Sequence, residues 1–389
     1  MKQTAQRMSR LGTETAFRVL SKAQALESKG IKVIHLEIGE PDFNTPENIN
    51  KAACKAIDNG FTHYSNSQGI LPLRNQIAKY IEKTRDVSVD PARVIVTPGA
   101  KPFIFFTALA LLEEGDEAIY PNPGFPIYES MINYSGAKAV PIPLREELDF
   151  RLDIEELKSL ITPRTKLIIL NSPENPTGGV LEESDVRIIA DLAREHDLYV
   201  LSDEVYEYIS YNGKPFSIAS LPGMLDRTIL MNGFSKTYAM TGWRVGYAVV
   251  PQHLVDPIVG LIVNSVSCTA TFIQQACIEA LIGPQDSIIT MVTEFEKRRA
   301  VMVEGLNTIP GISCCSPKGA FYAFPSVKSL GKSSDYIADY LLNKAGVACL
   351  SGTDFGKYGE GYLRLSYANS QDNLREAIRR MKNSLAELT

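Results

Sequence analysis

Between residues 93 and 250, short β-rich runs alternate with longer helical patterns, and this alternation narrows the fold more than any other feature. Strand candidates fall at 93–97, 117–120, 138–142, 166–170, 198–201, 228–232 and 244–249. Helical periodicity occupies several of the gaps, at 101–113, 126–134 and 184–196. Runs such as KLIIL and LYVL are almost continuously apolar, as strands are when helices cover both faces of a parallel sheet. The pattern predicts an α/β fold built on a doubly wound, mostly parallel sheet. Beyond about Gln285 the texture changes. A charged helix at 290–306 precedes short strand candidates at 311–315, 320–324, 347–350 and 362–366, and a helix at 371–386 follows. This predicts a smaller α+β domain, joined by a helix at 13–29. The expected division is 46–285 for the large domain and 1–45 plus 286–389 for the small one.

Charge and cysteine usage remove several function classes. With 40 Lys+Arg against 45 Asp+Glu, the net charge of −5 argues against a general nucleic-acid or anionic-membrane binder. The six cysteines (Cys54, Cys268, Cys277, Cys314, Cys315 and Cys349) form no CxxC pair, and His35, His63, His196 and His253 lie far apart. Neither a zinc site nor a disulfide framework is expected. The first twenty residues are polar and amphipathic, without the apolar run of a signal peptide, and no apolar stretch reaches the length of a membrane span. A cytoplasmic, reduced protein is expected.

In open parallel sheets, ligands bind at the carboxyl ends of the strands, so the segments that follow the strands carry the functional expectations. After the first strand comes Thr97-Pro98-Gly99-Ala100-Lys101 and then a helix. Small residues at a helix N-terminus expose amides to an anion, and the helix dipole favours one there; the alternative is an ordinary turn that uses glycine for its backbone freedom. KLIILNSPENPTGG holds Asn175 between prolines and glycines, either as a donor to a ligand oxygen or as a cap of its own turn. LYVLSDEVYEYI places Asp203 directly after a buried run, with Tyr206 three residues on. Asp203 would face a cationic nitrogen or serve as a helix N-cap. TILMNGFSKTYAMTGWRVGYAVV puts Lys236 in a loop rich in small residues, with Arg244 eight positions later. A lysine near apolar walls and a second cation becomes a usable amine nucleophile, and the arginine offers a fork for phosphate. A lone loop lysine is otherwise a solvated charge.

Together these segments supply an imine-forming lysine, a phosphate cradle with an arginine, a carboxylate for a ring nitrogen, and an Asn and a Tyr for a ring hydroxyl. Those are the needs of pyridoxal 5′-phosphate.

The chain resembles the class I aminotransferases of pyridoxal-phosphate fold type I, in the branch that contains bacterial aspartate aminotransferases. The resemblance rests on Ser-Lys-x-aromatic-x-Met-Thr-Gly-x-Arg at 235–244, on GEPDFNTP at 39–46, on HYSNSQGILPLR at 63–74, and on the order of all these segments. It implies a seven-stranded, doubly wound large domain and a small domain drawn from both chain ends. It implies that Lys236 is the Schiff-base lysine and proton shuttle. Gly99, Ala100 and Lys101 would hold the phosphate through backbone donors, together with Ser235 and Arg244. Asp203 would pair with the ring nitrogen, Asn175 and Tyr206 with the ring hydroxyl, and Phe125, in PNPGFPIYES, would stack on the ring. Gly39 would lie by the substrate, and Arg364, in YLRLSYA, would clamp its α-carboxylate. Tyr64 would reach the cofactor phosphate of a neighbouring subunit, which implies a homodimer with shared sites.

The implied activity is ping-pong transamination between an L-amino acid and a 2-oxo acid. Aspartate or glutamate with 2-oxoglutarate is one expected substrate set. Asn264-Ser265-Val266-Ser267-Cys268-Thr269 carries no arginine for a second carboxylate, so a neutral or aromatic amino acid, with glutamate as donor, is the other. A lyase of the same fold would use the same cofactor ligands. A non-catalytic pyridoxal-phosphate-binding regulatory protein would carry a DNA-binding domain ahead of this module, and the resemblance already begins within the first forty residues.

Overall fold

The computed structural model of the protein describes residues 4–388. Twelve strands lie among them: β1 (Ile34–His35), β2 (Val94–Thr97), β3 (Glu117–Asn122), β4 (Lys138–Pro143), β5 (Thr165–Asn171), β6 (Tyr199–Asp203), β7 (Thr228–Gly233), β8 (Gly246–Val249), β9 (Tyr322–Ala323), β10 (Val347–Ala348), β11 (Leu350–Ser351) and β12 (Leu363–Ser366). Seven of them form one sheet in the order β2-β8-β7-β6-β5-β3-β4. The pairs from β7 to β4 are parallel. Strand β8 runs antiparallel to both of its neighbours, β2 and β7. The fold is the mixed α/β architecture of fold type I.

The apolar runs are continuous because successive side chains point to opposite faces and each face meets helices. In β5, Leu167 and Ile169 join the cluster that contains Phe103 and Tyr128, while Ile168 and Leu170 join the cluster that contains Val186 and Ile189. Full burial of each such side chain contributes about 1.5–3 kcal/mol. The covering helices Pro102–Leu111, Ile127–Ser135 and Glu183–Glu195 follow the expected positions within a few residues.

Strands β5, β6 and β7 stop nearly in line. Asn171 pairs in register with Asp203, and Asp203 with Met231. The chain segments after the three strands therefore converge on one edge.

The remaining strands form a parallel pair, β1-β10, and an antiparallel triplet, β11-β12-β9. Helices Asp286–Leu306 and Gln371–Leu385 pack against them through Phe295, Met302, Leu374 and Met381. Two expectations are corrected here. Residues 311–315 form no strand: the side chain of Asn307 donates to the Cys314 carbonyl (3.1 Å) and accepts from the Cys314 amide (2.9 Å), so those backbone groups need no ladder. Only Ser313 bridges, to Ser326. The single strand expected at 347–350 is divided at Cys349, and its halves β10 and β11 belong to different sheets. No helix among the described residues is long and apolar enough to cross a membrane.

A buried ion cluster fastens the turn after β6. Arg85, the last residue of helix Leu71–Arg85, donates to Glu204 Oε2 at 2.6 Å and also pairs with Glu207. Glu204 accepts from Ser202 and Ser217, at 3.0 and 2.5 Å. Glu207 accepts from Tyr80 and from Asn232, the latter at 2.6 Å. Removing one partner of such a group strands buried charge, which costs about 3–5 kcal/mol. Arg85→Met is expected to lose stability on that scale, read as a lowered urea midpoint against the wild type.

Candidate active site

A cavity of about 940 Å³ opens at the edge where β5, β6 and β7 end. Lys236 enters it from the short helix Phe234–Thr237 that follows β7. Phe234 is fully buried against Tyr238 and Tyr247 and anchors that turn. The Lys236 ammonium donates to the Gly39 carbonyl at 2.5 Å and lies 5.8 Å from the centre of the Tyr206 ring. Burial, with Arg364 and Arg244 nearby, brings the amine down to about 8 against the opposing pull of Glu40 and Glu14. The sequence expectation of a lowered amine holds, with desolvation as its main cause.

Asp203 ends β6 and is buried. It caps no helix. The Tyr128 hydroxyl donates to Oδ2 at 2.7 Å and the Val205 amide to Oδ1 at 3.3 Å. Among the described residues no cation hydrogen-bonds to it, and burial pushes its carboxyl up to about 6. Next to it, burial and the charge of Asp203 hold the Glu174 carboxyl well above the usual range. A buried carboxylate in this state calls for a cationic partner.

The loop after β5 carries Asn175, whose amide donates to Asn171 Oδ1 at 3.0 Å. Its own Oδ1 accepts from Arg364 Nη1 at 3.2 Å. Arg364 is buried on β12, donates also to the Glu37 carbonyl, and is flanked by the rings of Tyr322 and Phe355 at 4.6 and 4.9 Å. Tyr206 is buried, with its hydroxyl 2.8 Å from that of Tyr322.

At the other end of the cavity, helix Pro102–Leu111 starts just after Gly99, Ala100 and Lys101. Gly99 has φ +86°, and a Cβ there would lie 2.2 Å from Arg244 Nη2. The turn and the guanidinium thus close on each other only because the side chain is absent. Ser235 and Phe125 line the same cavity. Tyr64 does not line it; its side chain is 91% exposed.

The cavity therefore unites every residue singled out from the sequence except Gly99, which packs against Arg244 just behind its lining, and Tyr64. Sequence reasoning missed Tyr128, Glu174 and Tyr322. Tyr128 lies in the first turn of helix Ile127–Ser135, a position for which the sequence carried no signal. Glu174 and Tyr322 carried none either. The mouth was missed as well: Glu14, Phe17 and Leu20, at or near the start of helix Ala16–Glu27, line it.

The sequence profile described as Aminotransferase class I and II matches residues 31–381. The chain belongs to the class I and II aminotransferases. The aromatic-amino-acid aminotransferase 2 of Thermococcus litoralis is similar to it, 43% identical over 94% of either chain. The aspartate aminotransferase of Pyrococcus abyssi is also 43% identical, over 91% of this chain and 92% of its own. The crystal structure of an aromatic aminotransferase from Pyrococcus horikoshii OT3 superimposes with a TM-score of 0.90 at 41% identity, covering 95% of this chain and all of that one.

This aminotransferase is an enzyme that uses pyridoxal 5′-phosphate. Its cavity fits that group on the protein's own terms. It offers an accessible amine, a buried carboxylate without a cation, and a helix N-terminus closed by an arginine over a glycine. Two outcomes follow. Reductive trapping of the apo-aminotransferase by pyridoxal phosphate should rise with pH through a midpoint near 8, because only the neutral amine reacts; a midpoint near the ordinary lysine value would contradict the burial argument. Gly99→Ala should weaken cofactor binding at least tenfold by fluorescence titration, since a left-handed φ and the guanidinium both oppose the methyl group.

Proposed function

We propose that this aminotransferase exchanges the amino group between L-glutamate and the 2-oxo acid of a neutral or aromatic amino acid, as a cytoplasmic homodimer. The observation that carries this reading is the single cavity in which Lys236, Asp203 and Arg364 meet. Bound there, pyridoxal phosphate supplies an electron sink that lets a proton leave the amino acid's α-carbon. Lys236 would hold the cofactor through its amine and, once free, would take and return that proton. An amine brought to about 8 is suited to both directions near neutral pH. Asp203 would hold a negative charge against the ring nitrogen, Asn175 and Tyr206 would face the ring hydroxyl, and Phe125 would cover the ring. The amides of Gly99, Ala100 and Lys101, with Ser235 and Arg244, anchor the phosphate. Arg364 fixes the substrate carboxylate as a fork, beside Gly39 and Asn175.

The mouth supports the substrate class. Phe17, Leu20 and Ile38 give it apolar walls. The Lys101 ammonium is already paired with Glu14 at 2.9 Å and lies 5.3 Å from the centre of the Phe125 ring. An apolar or aromatic side chain enters without breaking that pair. Relatives of equal identity are named for aromatic amino acids and for aspartate, so the mouth, not the names, favours the former.

The exposed Tyr64 supports the dimer, as a side chain built to meet a second copy's phosphate. The division into 46–285 and 1–45 plus 286–389 belongs to the same reading. It is supported by the separate cluster around Phe295, Phe321 and Tyr367, drawn mostly from the later residues.

The test is a half-reaction. Holoenzyme without oxo acid is mixed with single amino acids while the cofactor absorbance is followed. Conversion with L-glutamate and with aromatic amino acids, but slowly with aspartate, is expected; accumulation of pyruvate or ammonia without conversion would point to lyase chemistry. Lys236→Ala should lose the covalent absorbance band and slow the half-reaction by several orders of magnitude. Light scattering that gives a fully active monomer would refute the shared sites.

A further inference from the structure

Tyr322 sits on β9, next to β12 and Arg364, and the register pairs it with Ser366. It is buried, lines the cavity and has no role in the reading above. Two contacts define it. Its hydroxyl lies 2.8 Å from the Tyr206 hydroxyl, the two rings crossing at 80°. Its ring centre lies 4.6 Å from the Arg364 guanidinium. Gly39 makes room for the hydroxyl, since a Cβ there would lie 2.2 Å from it.

Each hydroxyl has one proton to donate. For Tyr206 to donate to a ligand oxygen, the proton between the two tyrosines must come from Tyr322. We propose that Tyr322 is a positioning residue that relays a hydrogen bond through Tyr206 to the cofactor's ring oxygen and braces Arg364 for the substrate carboxylate. Both roles presuppose that Tyr206 faces the cofactor and Arg364 the substrate. Donors in a chain polarise one another, so the second hydroxyl strengthens the first. A cation over an aromatic face is attracted by the ring, which helps hold the Arg364 fork in place. The charged and titratable groups around the pair are Asp203 and Arg364 at Tyr206, Arg364 and Glu14 at Tyr322, and the Lys236 ammonium over the Tyr206 ring.

The experiment compares wild-type, Tyr322→Phe, Tyr322→Leu and Tyr206→Phe holoenzymes. The first readout is the pH at which the absorbance of the bound cofactor changes. Above that midpoint the ring oxygen carries an unshared negative charge. Loss of the relayed donor disfavours that form, so the midpoint should rise in Tyr322→Phe by about half a unit. It should rise further in Tyr206→Phe. The second readout is the dissociation constant of L-glutamate in the half-reaction. Tyr322→Phe keeps the ring and should stay within about twofold of wild type, whereas Tyr322→Leu should bind about three- to tenfold more weakly.

An unmoved midpoint in Tyr322→Phe, with Tyr206→Phe shifted, would overturn the relay alone. Unchanged glutamate affinity in Tyr322→Leu would overturn the brace. If Tyr206→Phe also leaves the wild-type midpoint in place, or the wild type shows no titrating band, the assignment of Tyr206 itself fails and the relay with it.

Discussion

The parallel ladder across β5, β6 and β7 is the constraint on which the rest depends. Three strands in register must end together, and their backbone groups must then be satisfied by whatever follows. Asn171, Asp203 and Met231 stand side by side in that ladder. The side chain of Asn171 donates to the Asp203 carbonyl at 3.1 Å and accepts from the Asn175 amide, which ties the loop after β5 to the end of β6. Residues from three distant stretches of sequence thus share one floor without any element bending to reach another.

That floor is held from behind by charge. Arg85 grips Glu204 and Glu207, which immediately follow Asp203 and Tyr206. Asn232, four residues before Lys236, joins the same cluster. The result is a turn whose outer residues are locked while Asp203 and Tyr206 face the cavity. In front, burial dominates the electrostatics: it raises the carboxyls of Asp203 and Glu174 and lowers the amine of Lys236. Together they set a buried carboxylate, raised to about 6, opposite an amine brought down to about 8 that can give up its proton.

Much of this was legible because it is periodic or local. All seven strands of the large sheet follow from short, near-continuous apolar runs, and the residues around Lys236 and Asp203 follow from their place just after those runs. The parts that were not legible depend on contacts between residues far apart in sequence. Arg85 carries no local signal; its burial comes from Glu204 and Glu207, more than a hundred positions on. Tyr322 reads as one apolar residue in a short strand. Residues 311–315 have strand composition, yet the side chain of Asn307 takes the place of a partner strand. Local preference cannot reveal a competitor that tertiary structure supplies.

Helix Ala16–Glu27 at the mouth differs from the floor in kind. Phe17 is 62% exposed, and Glu14 and Leu20 are only half-buried. Substitutions at such positions usually change stability by no more than about 0.5 kcal/mol, whereas the floor tolerates almost none. If the mouth selects the substrate, as proposed, the molecule keeps its reactive apparatus and its choice of guest on separate parts of the chain. New guests can be accommodated by rewriting a few side chains of one peripheral helix, and the machinery beneath need not be rebuilt. A lineage of such proteins could drift in diet while remaining fixed in chemistry.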